Sequence, residues 1–328
     1  MVVDGASYSS GLVTIAISTH RHLTYLREAV DSALSQTYGQ IEILIGNDGS
    51  LASLHEWCLE AARSHPTIRY HRNATNLGMS GNWNVLLERA RGEFITILAD
   101  DDRLLPEFVQ TLLEAMDPDR DVAFCNHHLI DEQGDRLPEA TVALTHQYGR
   151  DVLAPGLVQD FEALLWQNSV PNASALLLRT EPVRRLRFRE DLNTPEIELL
   201  LRLSRGGARA AFEPRYLSEY RTHGTSATAE GLWLDRLVDA LFDAPAAPHL
   251  EDLKRAFLQR MIVPAVSQCL ENGQQAKAGR LLTSPYYPVP LRFTSIGLLQ
   301  TICARLPAGL GCRLFRWVKR LKRSLRRG

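Results

Sequence analysis

The first 115 residues alternate between strand-like and helix-like patterns, and this alternation limits the possible folds more than any other feature of the chain. Residues 12–18, 41–45 and 94–98 are short runs of apolar and small side chains, which are typical of buried strands. Residues 23–34 and 108–116 carry apolar side chains at helical spacing. A β-α-β-α order predicts an α/β fold in which helices flank a mostly parallel, Rossmann-like sheet.

Three adjacent aspartates, Asp100, Asp101 and Asp102, directly follow the strand-like run 94–98. Neighbouring carboxylates repel one another, so a fold rarely concentrates them without a counter-charge. Open α/β sheets bind ligands at the carboxyl ends of their strands, and oxygen ligands there suit Mg²⁺ or Mn²⁺ held together with substrate phosphates. The alternative is an acidic, solvated turn before a helix, for which Pro106 is well placed.

Polar residues also follow the other two strand-like runs, as Ser18-Thr19-His20-Arg21 and as Asn47-Asp48-Gly49-Ser50. In a parallel sheet these ends meet at one edge, so we expect them to converge with the aspartates. Asp48 can accept hydrogen bonds from a base or a ribose, and His20 can stack on a base, although Asp-Gly-Ser is also an ordinary turn sequence. The GxGxxG and GxxxxGK[ST] nucleotide motifs are absent from the sequence.

The remainder of the chain is less regular. Residues 131–160 are rich in turn formers and predict a loop region. Residues 173–178 predict a strand and residues 196–203 a short helix. Helical patterns resume over 231–242 and 251–270, which indicates a helical C-terminal region.

Length and composition limit the number of domains and the cellular compartment that we expect for this protein. A chain of 328 residues can form one large domain or two modest ones. The five cysteines are scattered and include no CxxC pair, which favours a reducing compartment and argues against a zinc site or a disulfide framework. The sequence shows neither a signal peptide nor an apolar stretch of transmembrane length, so we expect a cytoplasmic protein.

The end of the chain is basic although the net charge is only −1. Residues 272–328 hold twelve Lys and Arg and no acid, and the tail (about residues 305–328) repeats apolar residues at helical spacing. A basic amphipathic helix with aromatic residues suits an anionic membrane surface, so we expect peripheral attachment at the inner membrane face. A partner helix and a disordered solubilising tail are the alternatives, and nothing in the sequence favours nucleic acid.

Seven segments, taken in chain order, resemble glycosyltransferase family 2, the inverting nucleotide-sugar transferases of GT-A fold. They are VTIAISTHR (13–21), ALSQTY (33–38), EILIGNDGS (42–50), NLG (76–78) with Asn82, ARGEFI (90–95), DDRLLP (101–106) and YRTH (220–223). The resemblance implies a GT-A domain over residues 1–228, with a nucleotide-binding half (12–116) and an acceptor-binding half (117–228). A helical extension (229–328) follows.

The resemblance also assigns roles to single residues. It implies a nucleotide pocket formed by Ser18, Thr19, His20, Arg21, Asp48, Gly78, Asn82, Asp100 and Asp101. It implies that Mn²⁺ or Mg²⁺ is bound by Asp100, Asp101, Asp102 and His223. Contacts to the acceptor would come from Trp166, Asn168 and Arg221, although Trp166 also reads as a core residue.

The family's catalytic base is a carboxylate in an E-D-x-E-L-x-x-R segment, which here reads PEIELLLR (195–202). Glu196 occupies the aspartate position and is the expected base, with Glu198 as the second candidate. The alternative for both is a solvated helix face. The chain departs from the family pattern at Asn47, Ala99 and Pro195, where the family usually has acids.

The implied activity is metal-dependent, inverting transfer of a sugar from a UDP-, dTDP- or GDP-sugar to a hydroxyl of a glycan or lipid-linked acceptor, in cell-surface polysaccharide synthesis. One alternative is a catalytically impaired protein that only binds nucleotide or glycan. A second alternative is a nucleotidyltransferase, which normally needs a Gly-rich loop and a lysine after the first strand. Neither of these features is present.

Overall fold

The structure, a computed structural model, describes residues 8–224, 231–307 and 309–324. Its strands are β1 (Ser9–Thr19), β2 (Ile41–Asn47), β3 (Ile68–Arg72), β4 (Gly92–Ala99), β5 (Arg103–Leu104), β6 (Val122–Ile130), β7 (Gly156–Leu157), β8 (Leu176–Arg179) and β9 (Ala210–Arg221). Its α-helices are α1 (Leu23–Leu34), α2 (Ala52–Ser64), α3 (Gly78–Arg89), α4 (Phe108–Ala115), α5 (Pro138–Gln147), α6 (Phe161–Gln167), α7 (Thr180–Leu186), α8 (Glu196–Arg205), α9 (Leu234–Phe242), α10 (Glu251–Glu271), α11 (Gln275–Thr283), α12 (Ser295–Arg305) and α13 (Leu310–Ser324).

All described strands form one sheet in the order β3-β2-β1-β4-β8-β6-β9-β5, with β7 also paired to β9. β1 pairs in parallel with β2 and β4, β2 with β3, and β6 with β9. β8 is antiparallel to both β4 and β6, so these two strands run the same way. Most of the sheet is therefore parallel, which confirms the predicted α/β fold.

The sheet register brings the carboxyl ends of β1, β2 and β4 to one edge. Thr19 lies opposite Asn47, and Ser18 lies opposite Ala99, so all three strands end at the same level. The polar residues that follow each strand are consequently neighbours. They lie where an open α/β sheet presents its ligand site.

Both faces of the central strands are covered. Ile15 and Ile17 of β1 pack in a core cluster with Leu26 of α1. The opposite face of the sheet meets α3, and a Cβ atom on Gly46 of β2 would lie 2.8 Å from the side chain of Leu86. Because both faces are buried, the sequences of these strands are continuously apolar and do not alternate between apolar and polar residues.

The predicted loop region 131–160 contains the helix α5, so that part of the prediction was wrong. Pro138 begins the helix, where its missing N–H costs nothing. The buried residues of the helix are Thr141 and Thr145, whereas Val142 is exposed. Because polar residues form its inner face, α5 has no apolar periodicity that the sequence could reveal.

The predicted strand 173–178 begins later than expected. Residues 173–175 form a 3-10 turn, and β8 spans 176–179. This turn lies beside the site described below.

The chain divides into two compact units, residues 1–231 and 232–328. The first unit contains the sheet, and the second is built from α9 to α13. No helix in the described parts of the chain combines the length and apolarity needed to cross a membrane. The predicted tail helix is α13, and residues 325–328 of that prediction lie outside the described residues.

Candidate functional site

Asp48, which follows β2, is held by two fixed donors. The Asn73 side-chain amide donates to its Oδ1 at 2.9 Å. The Leu77 backbone N–H, just before α3, donates to Oδ1 at 2.8 Å and to Oδ2 at 3.0 Å. The carboxylate is therefore fixed at the sheet edge, and further acceptor capacity on Oδ2 remains for a ligand.

Asn82 joins α3 to the ends of β1 and β2. Its Nδ2 donates to Ser18 Oγ at 3.0 Å and to the Gly46 carbonyl at 2.8 Å. Its Oδ1 accepts from the Asn73 amide at 3.0 Å. Asn82 is only 1% exposed, so it positions the pocket and does not present a group to a ligand.

His20 and Gly49 connect the β1 and β2 ends directly. The His20 ring Nδ1 lies 3.1 Å from the Asp48 carbonyl oxygen. A Cβ atom at Gly49 would lie 1.8 Å from the His20 carbonyl oxygen, so this close approach requires glycine. Gly78 begins α3 with a φ of +73°, the left-handed region that glycine adopts without strain.

Asn47, where the family usually has aspartate, serves the local backbone. Its Oδ1 accepts from Gly49 N–H at 2.8 Å, and its Nδ2 donates to the Tyr70 hydroxyl at 2.9 Å. The Tyr70 hydroxyl in turn lies 2.7 Å from Nδ1 of His55. An aspartate could not donate to Tyr70, so the asparagine orients the hydroxyl toward His55.

Asp100 is tied to the end of β1. Its Oδ2 accepts from Thr19 Oγ1 at 2.6 Å and from the His20 backbone N–H at 3.4 Å. Burial and the neighbouring Asp101 raise the pKa of Asp100 to about 7, and the positive charge of Arg21 opposes that rise. Burial is the larger cause of this rise, and the neighbouring carboxylate adds to it.

Asp101 meets His223 across the site. Its Oδ2 lies 2.8 Å from Nε2 of His223. The histidine ring packs edge-on against His22, at 5.4 Å between centroids, and against Tyr25 at 5.3 Å. Asp101 keeps 19% of its side chain exposed, whereas the His223 side chain keeps 3%.

Asp102 faces inward. Its Oδ1 accepts from the Arg221 backbone N–H at 2.9 Å, and its Oδ2 lies 3.4 Å from the Asn172 amide nitrogen. Burial and Asp101 raise its pKa, and a hydrogen bond from Ser174 opposes the rise. With 1% exposure and contacts to both oxygens, Asp102 is fixed in the interior of the site, and its role as a metal ligand stays a prediction.

Arg221 is a buried support of the site and not the expected acceptor contact. Its Nε donates to the Asp101 carbonyl at 2.8 Å, and its Nη2 pairs with Glu28 at 2.5 Å. Its guanidinium lies 4.4 Å from the ring centroid of Tyr25. The side chain is fully buried, so it cannot touch a ligand in this arrangement.

Glu196 and Glu198, both at the start of α8, differ in their partners. Burial raises the pKa of Glu196 to about 6, and the backbone N–H groups of Glu196 and Ala173 partly offset this by donating to its carboxylate. Glu198 forms a bidentate pair with Arg202, at 2.9 and 2.8 Å. Glu198 is therefore engaged by an ion pair within α8, and which of the two glutamates serves as the base stays a prediction.

Segment 172–174 links Glu196 to the aspartates. The Asn172 side-chain amide donates to Asp102 Oδ2 at 3.4 Å, and Ser174 Oγ accepts from Ala99 N–H at 3.2 Å. Ser174 lowers the pKa of Asp102, and the Ala173 backbone N–H lowers that of Glu196. No sequence pattern predicts the role of this segment, because that role depends on contacts between elements that are distant in the chain.

Trp166 and Asn168 both have evident structural roles, and their contact with the acceptor stays a prediction. Trp166 is 1% exposed, and its indole N–H donates to Glu162 at 3.1 Å. Asn168 ends α6 with a φ of 63°, which asparagine tolerates better than most residues.

The acidic edge suits a cation that arrives with a phosphate. In the described ranges, no three His, Cys, Asp or Glu side chains converge as a ready metal site. Asp101 Oδ2 and His223 Nε2 lie 2.8 Å apart, and Asp100 directly precedes Asp101 in the chain. Mg²⁺ in proteins commonly takes one or two carboxylates and completes its shell with substrate phosphates and water, so the donor set fits a shared cation.

Asn73 and Glu28 are site residues that the sequence analysis missed. Asn73 directly follows β3, so the strand-end rule that identified Asp48 also applies to it. Glu28 lies within α1, where nothing in the sequence distinguishes it from a solvated helix acid. Its importance appears only through its pairs with Arg221 and Arg103, the latter at 3.3 Å.

Comparison with protein families gives a match over residues 14–170 to the family described as glycosyl transferase family 2. A putative glycosyltransferase EpsH of Bacillus subtilis (strain 168) is 29% identical over 136 residues, which cover 41% of this chain and 39% of that protein. Glycosyltransferase GlyA of Streptococcus pneumoniae serotype 4 is 31% identical over 121 residues, which cover 37% of this chain and 17% of that protein. The chain thus matches less than half the length of these relatives.

Two solved structures share the fold. S. aureus TarS 1-349 in complex with UDP-GlcNAc has a TM-score of 0.65 at 14% identity, covering 95% of this chain and 92% of that one. The mannosyltransferase PcManGT of Pyrobaculum calidifontis, in complex with GDP-Man and Mn²⁺, has a TM-score of 0.58 at 16% identity, covering 97% of this chain and 90% of that one. At these identities the likeness concerns the fold alone.

Proposed function

This chain is a member of glycosyl transferase family 2 through residues 14–170, and we propose that it moves a sugar from a nucleoside-diphosphate sugar to a hydroxyl of an acceptor. The observation that carries the proposal is segment 172–174. The Asn172 side-chain amide donates to Asp102 Oδ2 at 3.4 Å on one side, and the Ala173 backbone N–H lowers the pKa of the Glu196 carboxyl on the other. The proposed proton acceptor and the turn that carries the acids are thereby connected through one short segment.

The donor is a UDP-, dTDP- or GDP-sugar. Solved proteins of this fold carry UDP-GlcNAc or GDP-Man, which supports a nucleoside-diphosphate sugar in general. Asp48 accepts a hydrogen bond from the base or ribose, and the His20 ring lies at the rim of the same pocket. The hydrogen bond from Asn82 Nδ2 to Ser18 Oγ stabilises the wall of this pocket.

Asp101 and His223, with Asp100 beside them, hold Mn²⁺ or Mg²⁺ in this proposal, and the diphosphate completes the shell. The presence of Mn²⁺ with GDP-Man in PcManGT supports a divalent cation. When bound, such a cation offsets the negative charge that develops on the departing nucleoside diphosphate. Asp102 and Arg221 fix the backbone on which Asp101 is carried.

Glu196 is the general base. Its carboxylate takes the proton of the acceptor hydroxyl, and the acceptor oxygen forms a bond to the anomeric carbon. The bond from that carbon to the phosphate oxygen breaks at the same time, and its electron pair leaves with the nucleoside diphosphate. A single displacement of this kind inverts the anomeric configuration.

The acceptor is a glycan or a lipid-linked saccharide, in the synthesis of a cell-surface polysaccharide. The basic tail supports this assignment, because attachment to the inner face of an anionic membrane brings the enzyme to lipid-linked acceptors. The protein is accordingly cytoplasmic and peripheral to the membrane in this proposal.

Nucleoside diphosphate release from UDP-, dTDP- and GDP-sugars, with Mn²⁺ or Mg²⁺ and with a chelator, tests this function. We expect slow hydrolysis of one donor without acceptor, faster release with extract containing lipid-linked saccharides, and loss of both with chelator. Release of pyrophosphate would instead indicate a nucleotidyltransferase. Tight donor binding with no release under any condition would show a nucleotide-binding protein without turnover.

A further inference from the structure

Exposed apolar side chains are concentrated near the end of the second unit. Of the thirteen large hydrophobic side chains that are exposed in the described parts of the chain, eight lie between residues 289 and 321. These eight are Val289, Leu291, Phe293, Leu298, Ile302, Leu310, Trp317 and Leu321. Single exposed apolar residues are normal, but a cluster marks an interaction site.

Helix α13 carries two apolar stripes. Cys312 and Phe315 form the inner stripe, with 1% and 0% exposure, and they anchor the helix in the second unit. Gly311 makes this packing close, since a Cβ atom there would lie 1.8 Å from the Cys303 carbonyl of α12. An ion pair between Lys319 and Glu271 adds a further tie to α10.

The outer stripe of α13 follows helical spacing through Leu310, Trp317 and Leu321, with Trp317 59% exposed. A helix that only completed a core would need the inner stripe alone, and its outer face would be polar. The second apolar stripe therefore requires another explanation.

Two neighbouring elements continue this pattern. In α12, Leu298 and Ile302 are one turn apart and exposed, while Gly297 and Cys303 are buried. The 3-10 turn Val289–Phe293 before α12 exposes 75% of the Phe293 side chain. Three consecutive elements thus each leave apolar groups in solvent.

The charged side chains carried by these three elements are all basic, although Glu271 of α10 pairs with Lys319 of α13. Residues 272–328 contain no carboxylate, and Arg305, Arg313, Arg316 and Arg320 are exposed near the apolar side chains. A protein interface would be expected to mix charges or to exclude them from its core. Apolar and aromatic groups among basic ones fit an anionic lipid surface, where side chains enter the acyl boundary and guanidinium groups meet phosphates.

We propose that the 3-10 turn 289–293, the outer face of α12 and the outer stripe of α13 together form a docking surface for an anionic membrane. This inference rests on the proposed function and deepens it, because it extends attachment from the basic tail helix to a surface built from three folded elements. It depends on burial and charge within the second unit and on no property of the catalytic residues.

Co-sedimentation of the full chain with vesicles tests the surface. Vesicles made of equal parts phosphatidylglycerol and phosphatidylcholine are compared with vesicles of phosphatidylcholine alone. The parent protein should partition at least about tenfold better onto the anionic vesicles, and this preference should fall with salt. Equal partition onto both vesicles, or none onto either, would overturn the proposal.

Two variants separate the apolar and basic contributions. Phe293→Ser combined with Trp317→Ser should lower partition by about tenfold or more, because each exposed ring loses its burial in lipid. Arg313→Gln, Arg316→Gln and Arg320→Gln combined should lower it by on the order of a hundredfold. Val152→Ser, at an 82% exposed site of the first unit, is the matched control and should leave partition unchanged.

Fluorescence quenching by brominated lipid locates the contact. We expect quenching in the parent protein, and its loss in Trp317→Phe despite retained vesicle binding.

Unchanged partition in Phe293→Ser/Trp317→Ser would overturn the proposed apolar contact. Donor hydrolysis measured without vesicles should be normal in every variant, so failure of this proposal is distinguishable from failure of the proposed reaction. If the same double variant abolished self-association and the parent bound no vesicles, the surface would be a protein interface.

Discussion

The backbone N–H of Arg221 donates a hydrogen bond to Oδ1 of Asp102, a residue 119 positions earlier in the chain. Through this bond and the one from Arg221 Nε to the Asp101 carbonyl, the last strand of the sheet fixes the acidic turn. The motif near residue 221 and the aspartates near residue 101 are therefore two parts of one site.

Loss of the proposed cation ligands should abolish turnover. Asp101→Asn and His223→Ala should each lower kcat/KM by on the order of a hundredfold or more, because the leaving diphosphate loses its charge partner. His65→Ala, at an exposed residue after α2, is the matched control for histidine removal. Steady-state assays at several Mn²⁺ concentrations check this, and full activity of Asp101→Asn would contradict the assignment.

Substitution of the two glutamates of α8 should have different effects, one on catalytic activity and the other on the stability of the fold. Glu196→Gln should lower kcat by about a hundredfold to ten-thousandfold while leaving donor binding intact. Glu198→Gln should instead lower the free energy of unfolding by about 2 kcal/mol, since it breaks the bidentate pair with Arg202. Donor titration, steady-state kinetics and denaturant unfolding of both variants distinguish the roles. The reverse pattern would make Glu198 the base.

The pH profile should contain a limb from Glu196. A base must be ionised, and the pKa of this carboxyl is raised to about 6, so kcat/KM should rise with pH through about 6. Glu196→Gln should lose that limb. If the limb instead persisted in Glu196→Gln and vanished in Asp100→Asn, it would belong to Asp100.

The same raised pKa has a consequence for stability. The folded state binds the proton of Glu196 more tightly than the unfolded state, so stability falls as pH rises from the unfolded pKa, near the ordinary 4.5, through about 6. Glu196→Gln should accordingly be more stable than the parent protein at pH 8 and should show no such advantage at pH 4. Thermal unfolding at both pH values measures the difference, and a less stable variant at pH 8 would contradict it.

Gly49 should not accept a side chain. Gly49→Ala places a Cβ atom against the His20 carbonyl and should separate the β1 and β2 ends, which weakens donor binding by about tenfold or more. Gly39→Ala is the control, because no atom lies within 4 Å of its added Cβ. Equal donor affinity in both variants would show that the close approach is not needed for binding.

The parts of the fold that could be predicted from sequence are those whose pattern is local. The buried strands β1, β2 and β4 appear as apolar runs because helices cover both of their faces, and their polar ends follow from the parallel register. Helix α5 was not predicted, because its buried face is formed by Thr141 and Thr145 and so shows no apolar pattern. The supporting roles of Glu28 and Asn172 could not be predicted, since each depends on a partner more than 60 positions away.

Segment 172–174 also determines how the two halves of the reaction respond to change. Because Asn172 bonds to Asp102 while Ala173 and Ser174 influence the pKa of Glu196 and Asp102, a shift of this segment should affect the proposed proton acceptor and the acidic turn together. In the proposed reaction, a substitution within residues 172–174 is therefore expected to change nucleophile activation and leaving-group departure together.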